Sequence, residues 1–319
     1  MTRVALYTHS VSQQHGRPSL DGPPIQHPEQ PDRIASILSA LEDPEFDRLV
    51  RMTAPLADVD LVKKYHDPAY VDRAIAPVPE GQVEAMDADT NKTIASSAAA
   101  LRAVGAACDA IHQVVSGTVD RAFIAMRPPG HHAERARSMG FCLFGTVAIA
   151  AEEALLQNDI NRVAIVDFDV HHGNGTQDLL WNQPDVLTIT SQQMPLWPGT
   201  GDRSETGAHG QIINLPLPTG SDGEFMRQVY ETEVFPAIEA FQPDLLLISA
   251  GFDAHADDPL AGLNWSTEDY VWLTERLVGL AESLCQGRVV SCLEGGYDLS
   301  ALAKATAAHV RCLMREGND

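Results

Sequence analysis

The side chains most capable of chemistry in this 319-residue chain lie in three short segments: VDFDVHH (166–172), RPPGHHAE (127–134) and LEGGYD (293–298). In the first, the alternation of a strand end sends Asp167, Asp169 and His171 to one side and Phe168, Val170 and His172 to the other. Asp169 and His171 then grip one ion. Asp253, directly after the apolar run DLLLISA, joins them if the two strands are neighbours in a sheet. Two carboxylate oxygens and one imidazole nitrogen leave a tetrahedral ion one open position, which suits a catalytic metal with a bound water better than a structural one. A bare Asp-x-His also fits a helix cap before GNGTQDLL, and it is the company these residues keep that favours the ion.

That company begins with His131 and His132, adjacent imidazoles after a Pro-Pro-Gly turn. One can take a proton from an activated water and the other hold or return one to a leaving amine. Asp167 and Asn174 are candidates to hold their far nitrogens and set the tautomers. Tyr297, presented after Gly295 and Gly296, offers a phenol to a developing oxyanion; a packing tyrosine at a helix start is the plainer alternative. Together these groups describe hydrolysis of a carbonyl compound by an activated water. There is no GxSxG elbow, and Cys142 has no evident base.

Positioning such groups calls for buried strands ending at one edge. The runs NRVAIVDFDV, PDLLLISAGFDAH, GRVVSCLEGGY and TVDRAFIAMRPPGHH read as parallel strands, separated by segments of helical length and Ala/Leu composition. The alternation predicts an α/β fold, a parallel sheet with helices on both faces and the polar clusters at its carboxyl edge. Pro- and Gly-rich stretches at 17–31, 77–90 and 192–210 read as long loops, and none divides the chain, so residues 1–319 are expected to form a single domain. Loops 17–31 and 77–90 either shape a site mouth or form a contact in a homo-oligomer.

Composition narrows the partners. With 22 Lys plus Arg against 44 Asp plus Glu, the net charge of −22 disfavours nucleic acid and anionic membranes. No apolar run approaches a bilayer span, and the opening MTRVALYTHS lacks a signal-peptide core, which predicts a cytoplasmic protein. Five cysteines without a CxxC pair predict reduced thiols and no disulfide framework.

The segments HPEQPDR, RPPGHHAE, GFCLF, VDFDVHHGNGT, WPGTG, NLPLP, SAGFDAHADDPL and LEGGYD resemble, in order, those of the zinc-dependent histone deacetylase and acetylpolyamine amidohydrolase family, and most closely its bacterial, class II-like branch. The resemblance runs from about residue 9 to the end. It implies a three-layer arginase-deacetylase fold around a largely parallel eight-stranded sheet, and hydrolysis of linear amide C–N bonds in acetylpolyamines or acetyl-lysine to acetate and free amine. By that resemblance Asp169, His171 and Asp253 match the zinc ligands, His131 and His132 the tandem histidines, Asp167 and Asn174 their partners, and Tyr297 the carbonyl-polarising tyrosine. Gly140, Phe141 and Trp197 match tunnel walls, Leu260 and Asp89 the rim, and Arg33 an internal channel. A structural potassium ion is also implied, held by Asp167, Asp169, His171 and Thr190. An Asp-Asp-His set also suits Fe(II) or Co(II).

Several positions depart from the family pattern. Trp197 replaces the usual Phe, Thr190-Ser191-Gln192 replaces Ser-x-His, and Gly145 replaces Asn. Two rival readings are a two-metal ureohydrolase, for which Asn174 stands where a second-metal Asp is expected, and a non-catalytic module that binds acyl-amines. Intact His131, His132 and Tyr297 speak against the second, since a binding module needs no acid/base pair.

Overall fold

The computed structural model describes residues 2–316. Its strands are β1 (Val4–Thr8), β2 (Val50–Thr53), β3 (Glu84–Ala85), β4 (Asn91–Lys92), β5 (Arg121–Ile124), β6 (Val163–Asp167), β7 (Val186–Met194), β8 (Ile212–Pro218), β9 (Leu245–Ala250) and β10 (Val289–Leu293). Eight of them form one sheet in the order β2-β1-β5-β10-β9-β6-β7-β8, and every neighbouring pair is parallel. Among the described residues β3 and β4 pair only with each other, as a small antiparallel hairpin.

Both faces of the sheet are covered, which is why its strands read as continuous apolar runs. Leu6, Phe123, Val166, Ile189, Ile248 and Val289 point into one core, while Tyr7, Ile124, Ile165, Leu247 and Val290 point into the other. The first core is closed by helices Asp32–Ala40, Gly223–Val229, Phe235–Phe241, Thr267–Leu284 and Leu299–Leu313. The second lies under Ser96–Val115, Thr146–Ala154 and Asn174–Leu180. Small residues let the long helix Ser96–Val115 lie close to the sheet: Ala99, Ala103, Ala106, Ala107 and Ala110 are all buried. Thr267–Leu284 starts with a capping box formed by Ser266 and Asp269, which satisfies backbone groups at that terminus. The result is the expected α/β three-layer arrangement.

Two details differ from the sequence reading. β6 stops at Asp167, so Asp169 and His171 stand on bends beyond the strand. Phe168 and Val170 still enter the first core, but His172 leaves the pattern and bonds Thr200 and Gln177. The 192–210 segment is also not wholly loop, because Gln192, Gln193 and Met194 extend β7 opposite Pro216, Leu217 and Pro218. All five cysteines are free thiols, and among the described residues no helix is long and apolar enough to cross a membrane.

Candidate active site

Four adjacent central strands, β5, β10, β9 and β6, deliver the candidate residues to one edge. β6 and β9 are direct neighbours, with Asp167 opposite Ser249, so the segments carrying Asp169, His171 and Asp253 leave the sheet side by side. His171 Nδ1 lies 3.2 Å from Asp169 Oδ1 and 3.1 Å from Asp253 Oδ2. A tetrahedral zinc ion with bonds near 2.0 Å spaces its ligand atoms about 3.3 Å apart, so this donor set fits such an ion. The outer oxygens are already occupied: Asp169 Oδ2 accepts from Gly295 N at 2.8 Å and Asp253 Oδ1 from Val170 N at 2.9 Å. Burial pushes the His171 imidazole down, but the two carboxylates prevail and hold it up at about 10, the response of a site that attracts positive charge.

Beside this trio the rings of His131 and His132 stand 3.9 Å apart. His131 Nδ1–H donates to Asp167 Oδ2 at 3.0 Å, and its Nε2 lies 3.8 Å from Asp169. His132 Nδ1 faces Asn174 Oδ1 at 2.8 Å, while Asn174 Nδ2 donates to the Glu134 carboxylate at 2.8 Å. That second bond fixes which end of the amide faces the ring, so His132 carries its proton on Nδ1 and presents a bare Nε2. The two environments pull the pair apart. Burial lowers both, but the charges of Asp169, Asp167 and Glu294 reverse the sign for His131 and hold it well above the usual histidine range. His132, next to His131 and His171, is held well below it.

Asp89, His132, Gly140, Phe141, His171, Leu196, Trp197, Leu260 and Tyr297 line a cavity of about 220 Å³, which gathers every expected tunnel residue and adds Leu196. Trp197 meets the His132 ring edge-on at 4.8 Å, and Phe141 meets Tyr297 at 6.0 Å. Gly140 is dictated by this closeness: a Cβ there would stand 2.2 Å from the His132 ring and 2.7 Å from Trp197. Asp89 Oδ1 accepts from Gly140 N at 3.1 Å, tying the rim to the wall. Burial and the nearby Asp253 charge push the Tyr297 phenol well above 10, which keeps it a donor. Thr190 sits on β7 opposite Asp167, within the sheet behind the trio.

Residues 27–313 match the family model described as histone deacetylase domain. The chain belongs to the histone deacetylase family. It is 37% identical over 331 residues to histone deacetylase 14, chloroplastic, of Arabidopsis thaliana, covering 98% of this chain and 77% of that relative. A probable deacetylase of Archaeoglobus fulgidus is 36% identical, over 86% of this chain and 77% of its own. The histone deacetylase-like amidohydrolase of Pseudomonas aeruginosa is 35% identical, over 78% and 66%. Among solved structures, the crystal structure of the HDA15 HD domain superposes with a TM-score of 0.89 at 30% identity, over 98% of this chain and 90% of that one. Deacetylase and amidohydrolase relatives of this kind support an enzyme.

Several supporting residues escaped the sequence reading. Glu294 accepts from Gly130 N at 2.7 Å and His131 N at 3.1 Å, fixing the turn that carries the histidines; burial pushes its carboxyl up to about 7. Glu29 is chelated by Arg127 and also bonded by Arg33 at 3.2 Å, all three buried. Arg33 in turn donates to Glu294 O and Gly296 O, both at 2.6 Å, with its guanidinium 5.0 Å over the Tyr297 ring. Arg33 was expected to line an internal channel; for its bond to Glu29 the sequence offered only the i,i+4 spacing of an acid and a base in HPEQPDR.

Proposed function

We propose that this chain is a zinc-dependent amidohydrolase that hydrolyses N-acetylated amines, acetylpolyamines or acetyl-lysine side chains, to acetate and free amine. The observation that carries the reading is the convergence of the Asp169-His171-Asp253 donors, two oppositely tuned histidines and Tyr297 on one cavity. Bound by those three donors, zinc supplies Lewis acidity toward the amide carbonyl and lowers the pKa of water, with Fe(II) or Co(II) able to serve.

The chain's own groups do the rest. His132 Nε2, bare because Asn174 holds the Nδ1 proton, takes the proton of the attacking water and then gives it to the departing amine nitrogen. His131, kept charged by Asp167 and Asp169, acts mainly as a fixed positive charge. Tyr297 donates its O–H to the carbonyl oxygen as that oxygen gains charge. Gly140, Phe141 and Trp197 sheathe the amine stem, while Leu260, 37% exposed, and Asp89 meet whatever lies outside. A potassium ion on oxygens of Asp167, Asp169, His171 and Thr190 would balance buried carboxylate charge behind the trio.

Residues 1–319 act as one catalytic domain in this account, in the cytoplasm and without nucleic-acid or membrane partners. Leu260 supplies no rim carboxylate for a polyamine, while Asp89 does, and the −22 charge suits cationic amines. Turnover by metal-replete enzyme of N-acetylputrescine, N8-acetylspermidine, an acetyl-lysine peptide and a trifluoroacetyl-lysine peptide, side by side, tests the proposal. Preference for the free amines makes it a polyamine amidohydrolase, and preference for the peptide a protein deacylase. Turnover of none of the four contradicts the reading.

A further inference from the structure

Asp258 is buried, 39 residues from Tyr297 in sequence, and belongs to none of the groups given a chemical role above. Its Oδ2 accepts from Tyr297 N at 2.7 Å, and its Oδ1 from Leu260 N at 3.0 Å. Arg33 Nε donates to Gly296 O at 2.6 Å. Gly296 C=O and Tyr297 N–H are the two ends of a single peptide unit, so that unit is clamped by a cation on one side and a carboxylate on the other. Gly296 has a φ of +116°, a conformation that other residues rarely adopt, and no regular element follows until helix Leu299–Leu313. Nothing in a strand or helix ladder therefore fixes the direction in which Tyr297 leaves the chain. The same carboxylate that holds Tyr297 also holds the backbone of Leu260 at the cavity mouth.

We propose that Asp258 is a positioning residue: it locks the Gly296–Tyr297 peptide to the Leu260 loop, so that the Tyr297 hydroxyl is aimed at the reacting carbonyl. The inference rests on the reading of Tyr297 as the carbonyl donor. A purely structural carboxylate would lower stability and activity regardless of what residue 297 carries. A positioning carboxylate matters only while the hydroxyl is there.

The test is a double-mutant cycle on metal-replete enzyme, with kcat, KM, bound metal and melting temperature measured for each protein. Asp258→Ala is expected to lower kcat on the order of 10- to 10²-fold with KM and bound metal changed far less, the scale of a misplaced catalytic group. In a Tyr297→Phe background the same change is expected to cost nothing further in kcat. Asp258→Asn keeps the shape and one acceptor oxygen, should fall between wild type and Asp258→Ala, and carries the same cycle if the alanine variant does not fold. Equal losses in both backgrounds would overturn the positioning role while leaving Tyr297 as donor. Near-normal turnover by Tyr297→Phe alone would remove the donor role first, and the positioning role with it.

Discussion

In the proposed reaction Tyr297 is one donor among the groups that face the carbonyl, so removing its hydroxyl alone tests a single interaction. Tyr297→Phe is expected to lower kcat on the order of 10²- to 10³-fold in steady-state assays, with KM nearly unchanged; near-normal turnover would sink its role. The candidate residues that the structure brings together were legible because their types repeat at telling intervals: Asp169 and His171 two apart, His131 and His132 adjacent, Tyr297 after two glycines. Of the residues that hold them, Asp167 and Asn174 were legible and others were not. Glu294 serves backbone 164 residues away and Glu29 meets an arginine 98 residues away, and a lone acid carries no sequence sign of the partner that buries it. Asn174 was legible as a partner of the tandem pair, but its tautomer-setting role depends on Glu134, which only the fold brings to its far side.

At the scale of elements, strand ends act as a common edge on which side chains from β5, β6, β9 and β10 meet, and the backbone itself must yield space there. A Cβ at Gly295, just past β10, would lie 2.2 Å from Asp253 Oδ2 and 2.6 Å from Asp169 Oδ2. Gly295→Ala is therefore expected to push both carboxylates apart and weaken metal binding on the order of 10- to 10²-fold, read by competition with a chelator. Gly279, in the helix Thr267–Leu284 with open space around its Cβ position, is the control: Gly279→Ala should leave metal affinity alone and stabilise by about 0.5–1 kcal/mol. The strands themselves were readable as apolar runs because burial on both faces removes the need for alternation. Where β7 runs on through Gln192 and Gln193 the reading failed: Gln192 Nε2 donates to Gly201 O and Gln193 Oε1 accepts from Gly262 N, which offsets part of the cost of burying these amides. The hairpin β3–β4 inside 77–92 is two residues per strand, too short to leave a periodic signal.

For the whole molecule, burial of neutral histidines makes one contribution to how stability depends on pH, opposite in sign to that of the raised Glu294 and His171. His309 is held between Thr274 Oγ1 at 2.7 Å and Ser291 Oγ at 2.9 Å, against Phe168 and Phe252, the residues preceding Asp169 and Asp253. Burial pushes it down to about 3, and pushes His66 and His172 down to about 4. The unfolded chain titrates these rings near 6.5, so between there and 4 it binds more protons than the folded one. Their contribution is complete above pH 6.5 and is lost as pH falls through 4 toward 3. His309→Gln, which cannot take up that proton, should lose less urea midpoint, or gain more, than wild type between pH 7 and pH 5; an identical change in both proteins would show that His309 is not the group titrating. The central proposal is that hydrolysis requires one divalent ion held by Asp169, His171 and Asp253. The most direct measurement is acetate release from an acetylated amine by enzyme stripped with a chelator and titrated back with Zn²⁺. The account predicts that stripping abolishes activity and that one equivalent per chain restores it fully. Activity that survives stripping, or that needs two equivalents as a two-metal ureohydrolase would, contradicts it.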